Sequence, residues 1–160
     1  MKTVIALLMA LASASPAFAQ TNINLGGIST DPSAAVEISA DNLSVDQDTG
    51  TAVFSGNVVI GQGALRLSAG SVRVVYAETT GDIAQLMASG GVTFVTDTQA
   101  AEAASADYNL TTGQLILSGN VLLSQGASAL SADKMTVDLT SGTAQMSGRV
   151  RTVFQQDGGN

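Results

Sequence analysis

The stretch Ser55-Gly56-Asn57-Val58 decides the fold, because the same phrase returns three more times along the chain. The later copies are Ser89-Gly90-Gly91-Val92, Ser118-Gly119-Asn120-Val121 and Ser147-Gly148-Arg149-Val150. A second phrase accompanies them and reads Ser39-Ala40-Asp41, Ser68-Ala69-Gly70, Ser105-Ala106-Asp107 and Ser131-Ala132-Asp133. The recurrence, at intervals of 26 to 37 residues, predicts a stack of similar units that bury their apolar sides against one another.

The glycine of each copy falls on the apolar side of a predicted strand, because residues two apart share a face. Phe54 and Val58 flank Gly56 in this way. A glycine at such a place predicts either a bulge that bends the strand or a furrow for a lipid chain, and the sequence leaves both open. The predicted inner face consists of Phe54, Gly56, Val58, Ile60, Leu65, Leu67, Val72, Val74, Val92, Phe94, Leu115, Leu117, Gly119, Val121, Leu123, Met135, Val137, Met146 and Val150.

The turn signals between the predicted strands are short and rich in glycine. Examples are Asp48-Thr49-Gly50, Thr111-Thr112-Gly113 and Thr140-Ser141-Gly142. Linkers this short connect antiparallel neighbours, because a parallel crossover needs about a dozen residues or more. The Ala-rich segment 99–106 is compatible with a short helix, but it stands where the other repeats have a strand. The pattern therefore predicts an all-β chain of antiparallel strands.

The side of the strand that carries apolar residues changes at the second phrase. Before the phrase the apolar residues Leu65 and Leu67 are odd-numbered, whereas after it Val72 and Val74 are even-numbered. Such a change predicts a bulge or corner, so that the two arms of each bent strand lie in two facing sheets. Three copies show the change, and the third (residues 105–107) does not. The Asp residues are expected to accept hydrogen bonds from backbone N–H groups freed at the corner rather than to bind metal.

The beginning of the chain has the features of a secretory signal. Lys2 precedes an apolar run over residues 4–12, and Ala17-Phe18-Ala19 supplies the small residues that a signal peptidase recognises. We predict a signal peptide over 1–19, cleaved between Ala19 and Gln20. An irregular lead-in over 20–35, with a short strand near 23–25, a β domain over 36–154 and a flexible tail over 155–160 follow.

The composition excludes several classes of function. The chain has 6 Lys and Arg against 13 Asp and Glu, which is not the basic footprint of a nucleic-acid-binding protein. It has no His and no Cys, so catalytic triads, Cys–His catalysis and zinc sites built on these ligands are impossible. We therefore predict that the protein is not an enzyme and holds no cofactor and no metal.

With its signal peptide and its repeated S-A-D and S-G-N-V units, the chain resembles the OstA-like (LptA) family of lipopolysaccharide transport proteins. The resemblance covers about residues 36–154 and is carried most by 39–58 and 105–121. It implies an open, V-shaped β-jellyroll in the periplasm, whose inner face binds the acyl chains of lipopolysaccharide.

The resemblance also implies partners. These are inner-membrane and outer-membrane lipopolysaccharide transport proteins of the same fold, and further copies of the chain joined head to tail. Two alternatives stay open: an inner-membrane relative that retains its N-terminal helix, and a β-repeat structural or protein-interaction scaffold without a lipid ligand. A tightly filled interior would favour the scaffold, and an open one would favour the carrier.

Overall fold

The described part of the chain forms an antiparallel β-sheet of 11 strands, most of which are long. The computed structural model describes residues 22–24 and 33–154. The strands are β1 (Asn22–Asn24), β2 (Val36–Ser39), β3 (Asn42–Asp46), β4 (Thr51–Gln62), β5 (Leu65–Tyr76), β6 (Ile83–Val95), β7 (Gln99–Asn109), β8 (Gln114–Gln125), β9 (Ser128–Asp138), β10 (Thr143–Ser147) and β11 (Arg151–Val153). The described residues contain no helix, so the all-β prediction is confirmed, and the Ala-rich segment belongs to β7.

The order of the strands is that of a meander with additions at its two edges. It runs β1-β10-β9-β8-β7-β6-β5-β4-β2, while β3 also pairs with β4 and β11 also pairs with β9. β2 and β3 therefore end the sheet on one side, and β1 and β11 end it on the other. β1 and β2 follow each other in the chain but lie at opposite edges of the sheet.

The long strands bend at one level, where the pairing register shifts. Ser55 pairs with Ser71 and Val58 pairs with Ala69, so two residues of β4 lie opposite the single residue Gly70 of β5. Equivalent shifts occur in every pair from β5–β6 to β8–β9. A bulge of this kind bends its strand, and aligned bulges fold the whole sheet along one line.

The fold line divides the sheet into two arms. The first arm consists of β1, β3, β10 and residues 51–55, 71–76, 83–89, 105–109, 114–118 and 134–138. The second arm consists of β2, β11 and residues 58–62, 65–69, 92–95, 99–103, 121–125 and 128–132. The predicted facing sheets are thus two arms of one hydrogen-bonded ladder.

The inner faces of the arms share one apolar core. In β5 the buried residues Leu67 and Ala69 give way to Val72 and Val74, which confirms the predicted change of parity. Tyr108 of the first arm donates a hydrogen bond to Gln62 of the second, so the arms meet across the interior.

The third repeat also bends, but the bend lies before the tripeptide 105–107 and not at it, where the position of the phrase predicted it. In β7 the buried residues are Ala101 and Ala103 before the bend, and Ala106 and Tyr108 after it. The corner residue is Ala104, which is three residues before Asp107. The prediction was wrong because it aligned the tripeptide 105–107, whereas the position of the bend is set by which residues face the core.

One predicted segment lies partly inside the described residues. β1 falls within the predicted irregular lead-in and pairs with β10. The predicted signal peptide (1–19), its cleavage site between Ala19 and Gln20, most of the lead-in (20–35) and the predicted flexible tail (155–160) lie outside the described residues.

Candidate functional site

The interior between the arms is the candidate site, and most of the predicted inner face lies in it. Fifteen of the predicted residues are buried: Val58, Ile60, Leu65, Leu67, Val72, Val74, Val92, Phe94, Leu115, Leu117, Val121, Leu123, Met135, Val137 and Met146. Phe54 is partly buried and packs against them. The structure brings these side chains together in one apolar wall, and their contact with a lipid stays a prediction.

Val150 is the predicted inner-face residue that the core does not cover. Its exposed fraction is 48%, and the neighbouring Val153 and Phe154 are exposed as well. These residues lie at the edge of the second arm, where β11 pairs only with β9. Val150 therefore belongs to the end of the sheet and not to its closed interior.

Gly56 and Gly119, two glycines of the repeated phrase, lie at the bend and leave no furrow beside them. Gly119 has a φ of 85° and Asn120 a φ of 48°, so both residues of the bulge adopt the left-handed conformation. A Cβ atom on Gly119 would lie 2.7 Å from the Cβ of Ala104, and one on Gly56 would lie 2.7 Å from Oδ2 of Asp41. The corner residue of the preceding strand fills the space, so the furrow interpretation is wrong at these positions.

The Asp residues at two corners bind side chains across the bulge. Asn57 Nδ2 donates to Asp41 Oδ2 at 2.9 Å, and Arg149 Nε donates to Asp133 Oδ1 at 2.9 Å. The hydrogen bonds from Arg149 hold the pKa of the Asp133 carboxyl below its ordinary value. The Asp41 and Asp133 carboxylates thus fasten the residue that follows the glycine, a role different from the predicted acceptance of backbone N–H groups.

The interior is closed by packing. The cavity between Ile60, Leu67, Leu86 and Tyr108 measures about 10 Å³, which is room for about one water molecule. A larger space lies between the tips of the arms, where a groove of about 480 Å³ separates Val36 from Leu110. An apolar ligand would have to enter through this groove or at an edge of the sheet, and then part the arms.

Sequence reasoning missed the polar residues that lie near this groove. Gln62 is buried with an exposed fraction of 1%. Its Nε2 donates to the carbonyl oxygen of Ala34 at 3.1 Å, and its Oε1 accepts from the Tyr108 hydroxyl at 2.8 Å. Residues two apart on a strand share a face, so the positions of Val58 and Ile60 would have placed Gln62 on the inner face as well.

Replacing Tyr108 with phenylalanine is expected to lower the free energy of unfolding by about 1–3 kcal/mol, because Gln62 Oε1 loses this partner inside the protein. The measurement is urea denaturation of the two proteins at neutral pH. The control is Tyr76→Phe, at a more exposed position on the neighbouring part of the same arm. Equal stability of Tyr108→Phe and the parent would contradict a hydrogen bond between the arms.

The same substitution is expected to change the response to alkaline pH. Burial raises the pKa of Tyr108 above its ordinary value of 10.0, so the unfolded chain loses this proton first. The stabilising contribution is complete below pH 10 and is lost as the pH rises towards the higher pKa of the folded state. Tyr108→Phe should therefore lose less stability than the parent between neutral pH and pH values above 10.

Residues 22–24 and 33–154 contain no group of three or more His, Cys, Asp or Glu residues that could hold a metal ion. No helix in these ranges has the length and apolarity needed to cross a membrane.

Comparison with known proteins decides the family. Residues 37–143, two thirds of the chain, match the family described as LptA/(LptD N-terminal domain) LPS transport protein. The chain belongs to this family. The match covers β3 to β9 in full, so the bent meander and its apolar interior are the part that is shared.

A solved structure has a fold similar to that of this chain. The chain is similar to LptH from Pseudomonas aeruginosa, described as the LptA homologous periplasmic component of the conserved lipopolysaccharide transport device. The TM-score is 0.71 at 17% sequence identity, and the alignment covers 79% of this chain and 99% of that chain. At this identity the similarity concerns the fold, which confirms the predicted β-jellyroll. No curated protein matches the sequence.

Proposed function

We propose that the chain is a periplasmic carrier of lipopolysaccharide. It shelters the acyl chains between its two arms and passes them from the inner-membrane machinery to the outer-membrane machinery, after removal of residues 1–19. Membership of a lipopolysaccharide transport family supports this proposal. The observation that carries it is the apolar interior, which extends across every strand from β4 to β10 as one cluster.

The energetics explain why a carrier of this form is useful. Keeping one acyl chain of about 12 methylene groups out of water is worth roughly 10 kcal/mol, which makes free passage through an aqueous compartment prohibitive. The wall offers aliphatic and aromatic side chains such as Leu117 and Phe94 and contains no charged group among its buried residues. When an acyl chain separates the arms, the apolar contacts between them are replaced by apolar contacts with the acyl chain.

The alternative, a β-repeat scaffold without a lipid ligand, is favoured by one observation. The interior is filled, since Val72, Leu117 and Met135 are fully buried and the cavity beside Tyr108 measures about 10 Å³. A scaffold needs nothing more than this packing. The carrier needs arms that separate when lipid arrives, and this difference distinguishes the two functions.

Photocrosslinking tests the proposal by comparing partly buried positions with exposed ones. Benzoylphenylalanine is placed at Phe54 or Leu110, which are partly buried and pack against the core. Phe54 lies beside the edge strand β3, and Leu110 lines the groove between the arm tips. The matched controls are Asn57 and Asn120, whose side chains are exposed at the bends. Each folded variant is irradiated with purified lipopolysaccharide.

We expect lipid adducts from Phe54 and Leu110 and none from Asn57 or Asn120, because the acyl chains lie inside. Equal adduct formation at all four positions would show surface adsorption and contradict the carrier. Absence of adducts from every folded variant would favour the scaffold.

The unpaired edges of the sheet suit the proposed partners. Leu43 and Val45 on β3 are exposed at one edge, and Val150 and Val153 are exposed at the other. Unpaired strands are templates for strand addition, so copies of the chain would join head to tail. Inner-membrane and outer-membrane proteins of the same fold would extend the sheet in the same way.

Introducing charge at one edge is expected to prevent this assembly. The double substitution Leu43→Lys and Val45→Lys should weaken self-association at least about tenfold, because each exposed apolar side chain buried at an interface contributes on the order of 1 kcal/mol. Sedimentation velocity over a range of concentrations measures it. Leu122→Lys, an exposed position on the central strand β8, is the control. Equal weakening by both variants would point to a general charge effect instead.

A further inference from the structure

A row of polar side chains follows the tip of the second arm from strand to strand. We call it the polar lip, and it consists of Gln62, Thr96, Gln99, Gln125 and Ser128. The Thr96 N–H donates to the Gln99 carbonyl oxygen at 2.9 Å, Gln99 pairs with Gln125, and Gln125 pairs with Ser128. Gln62 joins the row through Leu65, with which it pairs.

The polar lip faces inward. Each member continues the parity of buried apolar residues on its own strand, as Thr96 continues that of Val92 and Phe94. Thr96 has an exposed fraction of 8% and Gln99 one of 4%, while Gln125 and Ser128 are half-buried. The row therefore borders the apolar interior on the side of the groove between the arm tips.

The opposite lip differs in character. On the first arm the inward residues at the tip include Leu139, which is fully buried, and Leu110 and Ile83, which pack against the core. A wall of this kind needs no polar partner. Asp82 and Thr111 also line the groove on this side, but they are exposed. In the part of the chain that the structure describes, the buried polar side chains are Gln62, Thr96 and Gln99, which all belong to the polar lip.

Two members of the polar lip are buried without a partner. Among the described residues, the buried side-chain atoms that lack a hydrogen bond are Thr96 Oγ1 and both Nε2 and Oε1 of Gln99. Gln62, in contrast, binds Tyr108 and Ala34. Buried polar groups without partners are rare in folded proteins, because the group has given up water and gained nothing. Their retention beside the opening indicates that a ligand completes them.

The chemistry of the row defines that ligand. A glutamine amide both donates and accepts, and a threonine hydroxyl does the same, so the lip matches carbonyl, hydroxyl and amide N–H groups. None of its members is charged, so it does not suit a phosphate. Adjacent strands lie about 4.8 Å apart. From β6 to β9 the row repeats its donors and acceptors at that step, whereas the apolar Leu65 stands at this level on β5.

We propose that the polar lip binds the uncharged polar joint of the lipid, where amide and ester groups connect the acyl chains to the sugar. The proposal rests on the proposed carrier function and assigns a second subsite to it. Acyl chains occupy the apolar interior, and the joint lies at Thr96 and Gln99. Because the row repeats, a lipid displaced by one strand finds new partners of the same kind, which suits movement along the sheet.

The test removes the polar atoms and keeps the shape. The variant Thr96→Val with Gln99→Leu is compared with Thr93→Val with Gln114→Leu, which makes the same chemical changes at exposed positions. Affinity is measured for lipopolysaccharide and for dodecyltrimethylammonium, an amphiphile without carbonyl, hydroxyl or amide groups. Thr96→Ser, which keeps a hydroxyl, serves as the conservative variant, and urea denaturation reports stability.

We expect Thr96→Val with Gln99→Leu to bind lipopolysaccharide about tenfold more weakly, the effect of losing one or two hydrogen bonds. Affinity for dodecyltrimethylammonium should stay within about twofold, and stability should not fall, since apolar groups replace polar ones without partners. Thr96→Ser should bind lipopolysaccharide more tightly than Thr96→Val with Gln99→Leu, because it keeps a hydroxyl group. The exposed-face variant should bind both ligands like the parent.

Two results would overturn the assignment of the polar lip: unchanged affinity for lipopolysaccharide, or an equal loss for both ligands. Failure of the parent protein itself to bind lipopolysaccharide would instead refute the carrier function on which the assignment rests. The two failures are therefore distinguishable in one set of titrations.

Discussion

Replacing Gly119 with alanine is expected to lower the free energy of unfolding by about 2–5 kcal/mol, as measured by urea denaturation. The left-handed conformation at φ 85° disfavours any residue with a Cβ atom. In addition, that atom would lie 2.7 Å from the Cβ of Ala104, in the corner of the preceding strand. The backbone strain and the steric overlap add, because both act at the bend on which the two arms depend.

Two controls separate these contributions. Gly126 also has a positive φ of 56°, but a Cβ atom there would meet nothing within 4 Å. Gly126→Ala should therefore cost only the strain, about 1–2 kcal/mol. Adding Ala104→Gly to Gly119→Ala should recover part of the loss, since it removes the methyl group that the new Cβ atom would meet and leaves a glycine at the corner, as Gly70 does opposite Gly90. Equal losses at positions 119 and 126 would contradict the close approach at the bend.

Phe94→Ala is expected to lower the free energy of unfolding by about 3–5 kcal/mol, the usual cost of deleting a fully buried ring. Phe94 lies on the inner face of the second arm and is completely buried. The matched control is Val95→Ala, one residue further along β6, where the side chain is 39% exposed. That change should cost less than about 1 kcal/mol. Thermal or urea denaturation measures both.

The comparison also reports whether the arms are closed in solution. If the interior were an open trough filled with water, Phe94 would already be solvated, and its removal would cost little more than that of Val95. A loss near the lower value for both variants would therefore contradict the packed interior. A large difference would mean that a lipid must displace side chains that are already in contact.

Much of the fold was predictable because strand parity and glycine-containing turns are local signals. The alternation around Val72 and Val74 identified the inner face, and the repeat identified the bends. The position of the third corner was not predictable from its tripeptide, because Ala104 offers only a methyl group where Asp41 and Asp133 stand in other copies. What fixes that corner is the pairing of β7 with its neighbours, which is a long-range property.

The candidate site was predictable in its apolar part only. Residues such as Leu117 and Val121 carry the alternation and are buried. Gln62 and Gln99 were missed, because a glutamine next to a turn is ordinarily solvated and nothing local distinguishes a buried one. The closure of the interior was equally hidden, since it depends on how far apart two arms settle and not on which residues line them.

The meander has a consequence for how such a chain changes in size. From β3 to β10 the strands follow one another in chain order across the sheet, and each hairpin brings its own bulge and its own share of both arms. A gene that gained one hairpin would encode a protein longer by two strand spacings, about 9.6 Å, with the same cross-section. The number of hairpins therefore sets the distance that one molecule spans.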